Sequence, residues 1–235
     1  LGGGFCLPMP DAVKDNPDYD FDDIVAYLQS PPRTWDGVVY GASIDGDCHH
    51  FNYRSDVFTS EALANEWANA GGEGAWGPPQ TWQQVQQYSE FLSGQEFDGE
   101  DMYGILDVLA RGGGVGSYFF FPRASAYAKH PEDPAFFFDP VDMTPKINSP
   151  AFVRALDDMI AAAPWAPPDQ TNADLLKTLG DFLAGYGSMA HWWADIGSNV
   201  YSHPGSIVED KGGFSILPRP PDVYNRSTGE RGTGT

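Results

Sequence analysis

The chain has little cysteine, little positive charge and no long apolar run. Its 235 residues include only Cys6 and Cys48 as cysteines. With no CxxC pair, a multi-cysteine structural zinc site is excluded, whereas one disulfide or two buried thiols both fit. Thirteen basic residues face 33 acidic ones, a formal charge of −20. Nucleic-acid phosphates and anionic membranes both demand positive surface, so neither suits this chain as a partner. The acidity fits a solvated exported protein, or solubility alone. No run of about 18 apolar residues occurs, so no membrane-spanning helix is encoded.

Several catalytic signatures are missing as well. GxSxG, HExxH and the EF-hand pattern do not occur. The glycine-rich run RGGGVGS at 111–117 lacks the lysine and hydroxyl of a phosphate loop and is no GxGxxG opening a helix. Residues 112–116 instead suit a helix or loop where backbone must approach closely. The aromatic triplet that follows, Tyr118, Phe119 and Phe120, then lines either the core or a cleft, and the Tyr118 hydroxyl needs a polar partner.

What is present is a succession of strands and amphipathic helices. Phe21, Ile24, Val25 and Leu28 have one-face helical spacing, with Pro31 and Pro32 as the stop. Residues 60–69 are expected to be helical. Thr81 and Gln84 form a capping box for a helix with Trp82, Val85, Tyr88 or Ser89, and Leu92 on its buried face. Residues 102–106 read as a strand, and 136–138 as part of a short ribbon. Asn148, Ser149 and Pro150 start a helix whose predicted buried face is Phe152, Val153, Leu156, Met159 and Ile160. Leu175, Leu176, Leu179, Phe182 and Leu183 repeat at helical spacing, with Gly185 as terminator. Residues 188–193 re-extend, 195–201 read as helix, and 214–217 as a last strand. Strand, loop and helix in that order bring Trp192, Trp193 and Asp195 to the mouth of a sheet.

The stretch at 40–58, YGASIDGDCHHFNYRSDVF, organises the rest. With the residues just before it, it reads as a strand over 38–40, a polar break over 43–47, a strand over 48–53 and a helix start at Ser55, as where a chain crosses between lobes. Ligands are gripped at such crossings. Asp45 and Asp47 flank Gly46, two acceptor-only carboxylates suited to a polyhydroxylated or cationic ligand. Together with His49 and His50 they also look like metal ligands or an acid and base pair, the basis of an alternative: a carbohydrate-active or metal-dependent hydrolase. Adjacent histidines on a strand point to opposite faces, which disfavours one shared site. A surface adhesion module is a third class, with no positive support.

The same stretch resembles the extracellular solute-binding proteins of ABC importers, in particular the large sugar-binding group. The counterparts are WDGVVY at 35–40, GASIDGD at 41–47 and YRSDVF at 53–58. In order downstream come PPQTWQQV at 78–85, MYGI at 102–105, INSPAFVRAL at 147–156, FLAGYGSM at 182–189 and FSILPRPPDVYN at 214–225. The resemblance implies an α/β fold of the periplasmic-binding-protein type: two lobes, mixed sheets flanked by helices, a hinge, and a cleft for a sugar or oligosaccharide. It implies capture and delivery to a membrane permease without a chemical step, no cofactor or metal, no membrane insertion, and a monomer. It also implies a periplasmic or extracellular location, free or lipid-anchored.

Leu1 is no initiator methionine and the end, GERGTGT, is abrupt, so the chain reads as a middle piece. Residues 1–46 would be the end of the N-terminal lobe with its first crossing, 47–229 the C-terminal lobe, and 230–235 the start of a return crossing. The expected ligand contacts are Asp45 and Asp47 as hydroxyl acceptors, Trp192 or Trp193 as stacking platform, and Asp195 and Tyr118 at the rim.

Overall fold

The structure, a computed structural model, describes residues 3–29, 33–43, 45–97, 99–112, 114–130, 133, 135–220, 222–225 and 229–232. Its contacts divide into two units, Leu1–Cys48 and His49–Thr235.

The first unit holds two one-turn helices, α1 (Asp11–Lys14) and α2 (Ala26–Gln29), and a hairpin of β1 (Thr34–Trp35) and β2 (Val38–Val39). The helix expected over 21–28 is broken. A 3₁₀ turn at Phe21–Asp23 ends in extended backbone at Ile24, and α2 begins only at Ala26. Asp20 stands at a φ of 47° and Val25 is exposed, so the four apolar residues share no buried face. Pro31 and Pro32 lie outside the described residues. The strand expected at 38–40 is half of the hairpin. Asp36 and Gly37 at its tip both have positive φ, 49° and 73°, the backbone a tight two-residue turn demands and Asp-Gly supplies.

The second unit is built around one mixed sheet. In chain order its elements are β3 (His49–Arg54), α3 (Ser55–Phe58), α4 (Glu61–Asn69), α5 (Trp82–Leu92), β4 (Gln95–Phe97), β5 (Glu100–Leu106), α6 (Gly116–Ala128), α7 (Pro150–Ala162), α8 (Leu175–Leu183), β6 (Gly187–Trp193), α9 (Ile196–Ser202), β7 (Gly212–Ser215), β8 (Val223–Asn225) and β9 (Glu230–Gly232). The sheet order is β4-β5-β6-β3-β7, with β5 and β6 parallel and the other neighbours antiparallel. β8 and β9 form a separate ribbon. Residues 233–235, part of the expected return crossing, lie outside the described residues.

The strand β6 runs GSMAHWW with six of seven residues buried. It does not alternate apolar with polar because hydrophobic clusters cover both faces of the sheet. On one side Met189 and Phe51 pack with Trp82, Val85, Tyr88, Leu92, Phe152 and Ala155. On the other, Ala190 and Trp192 pack with Leu106, Phe119, Phe182, Ile196 and Val200. Each fully buried Phe or Leu here contributes about 1.5–3 kcal/mol.

Local signals place these helices. Thr81 accepts from the Gln84 amide at 3.1 Å, and the Gln84 side chain accepts from the Thr81 amide at 3.2 Å, closing the capping box of α5. Gly185, at φ 79°, ends α8; its amide donates to Phe182 and that of Tyr186 to Asp181. The face of α7 differs from the expected one. Ala151, Phe152, Ala155, Met159 and Ala162 are buried, while Val153, Leu156 and Ile160 are 49, 49 and 62% exposed. Small alanines let α7 lie close to α6, and that contact turns the larger residues outward.

Candidate functional site

The parallel strands β5 and β6 end on the same edge of the sheet, where β3 begins. In α/β sheets this is where ligands meet the protein, because the loops beyond the carboxyl ends leave a crevice. His49, first in β3, is directly opposite Trp193, last in β6. Residues paired across antiparallel strands share a face. Their ring centroids are 5.4 Å apart. The next pair in register is His50 with Trp192, on the opposite face, so the two histidines diverge.

Phe119, on the first turns of α6, completes the cluster. It lies edge-on to His49 at 5.2 Å, 5.1 Å from Trp193 and 5.7 Å from Trp192. Trp193 is half-buried, so part of its indole faces solvent, whereas Trp192 is 3% exposed and belongs to the core. Tyr118, one residue before Phe119, is 60% exposed. Asp195 is exposed just before α9; its main-chain carbonyl accepts from Ser198 Oγ and Asn199 Nδ2, and its carboxylate makes no cap bond. Asp45 and Asp47 belong to the first unit and are exposed there; an Asp45 oxygen accepts from the Gly46 amide at 2.7 Å.

Beneath this aromatic edge lies a buried charged group that the sequence reading did not single out. Asp107, just past β5, accepts from Arg123 Nη2 of α6 at 2.8 Å, and both side chains are almost fully buried. The guanidinium stacks 4.1 Å over Trp82, and the main-chain carbonyl of Asp107 accepts from Gln170 Nε2. His191 Nδ1 is 3.6 Å from the other Asp107 oxygen, and its ring is 5.0 Å from that of His49. Burial is the largest single influence on Asp107 and opposes its ionisation, but Arg123 and His191 together outweigh it and hold the carboxyl below its ordinary range. Burial lowers His191 and keeps it neutral despite Asp107. His49 is lowered to about 4, mainly by burial and secondarily by His191. A strand-end Asp followed by a lone Arg inside an aromatic helix was the available signal: a buried arginine needs a partner.

Chemically, the edge offers a half-buried indole with a neutral imidazole beside it. Such a pair can stack against the apolar face of a ligand. Among the described residues, no three His, Cys, Asp or Glu side chains converge as metal ligands. Cys6 and Cys48 are both exposed and form no disulfide with each other.

No protein-family model and no curated protein matches this sequence. Solved structures do match. One is an ABC-transporter solute-binding protein from Agrobacterium vitis with bound D-mannitol, 22% identical, with a TM-score of 0.66 over 93% of this chain and 47% of that one. Another, from Agrobacterium radiobacter in complex with ribitol, is 20% identical, with a TM-score of 0.70 over 93% and 49%. The maltose-bound MalE3 of T. maritima is 19% identical, with a TM-score of 0.62 over 95% and 50%. The fold is that of the ABC-transporter solute-binding proteins. The chain spans about half the length of these solved structures. Among the described residues no helix of this solute-binding fold is long and apolar enough to cross a membrane.

Proposed function

We propose that this chain belongs to a solute-binding protein that captures a sugar or polyol and hands it to the permease of an ABC importer, without a chemical step. The observation that carries the reading is Trp193, half-buried at the carboxyl end of β6 and braced by His49 and Phe119. Neighbours with the same fold hold mannitol, ribitol and maltose, which supports that ligand class. Trp193 is the stacking platform and Trp192, in the core, supports it from the other face. Tyr118 and Asp195 bond the hydroxyl rim. Asp45 and Asp47 are further hydroxyl acceptors; residues 1–46 act as the end of the N-terminal lobe with its first crossing, 47–229 as the C-terminal lobe and 230–235 as the start of the return crossing. The protein works as a monomer in the periplasm or outside the cell. Ligand contacts to both lobes bias an equilibrium between open and closed forms.

Calorimetric titration with mannitol, ribitol and maltose tests this. Saturable heat without any change in the sugar is expected, and Trp193→Ala should weaken binding by tenfold or more, about the loss of one stacking aromatic. Turnover of the sugar, or equal binding by Trp193→Ala and the unaltered chain, would overturn it.

A further inference from the structure

His49 braces Trp193, but its ring also carries chemistry of its own. The imidazole is partly exposed, and its two nitrogens stand in different surroundings. Nδ1 is sealed from solvent without a hydrogen-bond partner, whereas Nε2 is not sealed. Among the described residues neither nitrogen enters a hydrogen bond, so Nε2 is a polar atom open to an arriving group. His191, two residues before Trp193 on β6, differs in this respect: both of its nitrogens are sealed, and it belongs to the core.

The groups packed against His49 decide which nitrogen carries the proton. Phe119 of α6 lies edge-on to the ring and Trp193 of β6 lies beside it; neither side chain has an acceptor in the ring plane. His191 is 5.0 Å away between centroids, with its Nδ1 turned toward Asp107 at 3.6 Å, and its Nε2 makes no hydrogen bond to His49. A proton on His49 Nδ1 would therefore be a buried N–H with no acceptor, which folded proteins avoid more strictly than an unmet lone pair. The proton belongs on Nε2, the open side of the ring.

Charge narrows what such a donor reads. Burial keeps the imidazole neutral at neutral pH, and Arg123, the cation beneath it, is spent on Asp107. An anion finds no counter-charge here, and an ammonium, which only donates, gains nothing from an N–H. A hydroxyl or ether oxygen gains a donor. Resting on the reading of Trp193 as a stacking platform, we propose that His49 is a ligand-contact residue that sets specificity: its Nε2–H donates to an oxygen of a neutral sugar or polyol laid on Trp193. Because the ring is held between Phe119 and Trp193, that donor is positioned before the solute arrives.

The test follows His49 and Trp193 together by nitrogen-15 NMR of the unaltered chain at pH 7.5, with His49→Phe and Trp193→Phe to identify the signals. Long-range proton–nitrogen spectra are expected to show a protonated Nε2 and a bare Nδ1 in His49. Mannitol, ribitol and maltose are each added to roughly 50 mM, enough to fill a site of millimolar affinity. Whichever of them moves the Trp193 indole signal is expected to move His49 Nε2 saturably, with the same midpoint. By calorimetry His49→Phe, which keeps an aromatic ring and loses the donor, should bind that solute about five- to tenfold more weakly, the worth of one hydrogen bond. His49→Gln, which keeps an N–H at similar reach, should lose less. A protonated Nδ1, an Nε2 signal that stays still while Trp193 moves, a His49→Phe chain that binds as the unaltered one does, or equal losses in the two variants would overturn the proposal and leave the capture reading standing. If neither signal moves with any of the three solutes, the capture reading falls and this proposal with it.

Discussion

His49 and Trp193 face each other across the β3–β6 pair, the first residue of one strand against the last of the other, with rings 5.4 Å apart. The pairing makes the neighbour of Trp193 a titratable group, and a pH dependence follows. The His49 pKa is about 4 when folded against 6.5 for an ordinary histidine. Between those values the unfolded chain binds a proton that the folded chain refuses, so stability rises with pH. The contribution is complete above about pH 6.5 and is lost as pH falls toward 4. Discounted for partial exposure, the effect is about 1–2 kcal/mol. Urea unfolding at pH 7.5 and 4.5 should show a smaller pH effect in His49→Gln than in the unaltered chain. Equal slopes would refute the assignment.

The buried Arg123–Asp107 pair leads to a double-mutant cycle. Arg123→Met leaves an unpaired carboxylate in the core, and Asp107→Asn an unpaired guanidinium, so each should cost about 3–5 kcal/mol. The double variant should lose clearly less than the two losses added together. Denaturant midpoints read all four corners, and strict additivity would mean that the two charges do not depend on each other.

Gly104 on β5 touches the helix above it. A Cβ at that position would sit 2.2 Å from the Cα of Ser89 on α5, backbone that cannot swing away. Gly104→Ala should therefore cost about 3 kcal/mol, the upper range for overpacking, or force α5 off the sheet. A melting temperature within a degree or two of the parent would contradict this close approach.

The outward face of α7 should tolerate charge. Leu156→Glu and Ile160→Lys are expected to change stability by no more than about 0.5 kcal/mol, as for ordinary surface positions. Ala155→Leu, with no exposed surface at Ala155, should cost about 1–3 kcal/mol. Thermal denaturation of the three single variants separates these cases.

That helix also marks where sequence reasoning stopped. Period alone placed Val153, Leu156 and Ile160 inside, because large apolar residues at helical spacing outweigh alanine by hydrophobicity. Packing against α6 favoured the small side chains instead, a tertiary fact that the heptad-like pattern does not contain. Where the signal was stereochemical, it held. The Thr81–Gln84 box, the Gly185 terminator and the start at Ser149 and Pro150 appear where the residue chemistry required. The Asp36–Gly37 turn was equally legible, and it joins Val38–Val39 to Thr34–Trp35 as a hairpin that the helical and strand periods did not reveal. At the site, WW gave two adjacent indoles. Only the β6 register, with its strict alternation of faces, separates Trp192 in the core from Trp193 at the edge. The Asp107–Arg123–His191 group joins three elements distant in sequence, so no local motif announces it.

Because β6 is enclosed by hydrophobic clusters on both of its faces, its amides should be among the last to exchange with deuterium. Opening the strand means dismantling two layers together rather than fraying one. Trp193 thus stands at the tip of the least yielding part of its unit. As the proposed platform it does not need to be ordered by an arriving solute, and the entropy of fixing it has been met by folding itself. Whatever gives way when a solute enters or leaves has to be sought in the loops around that tip, not in the strand that carries it.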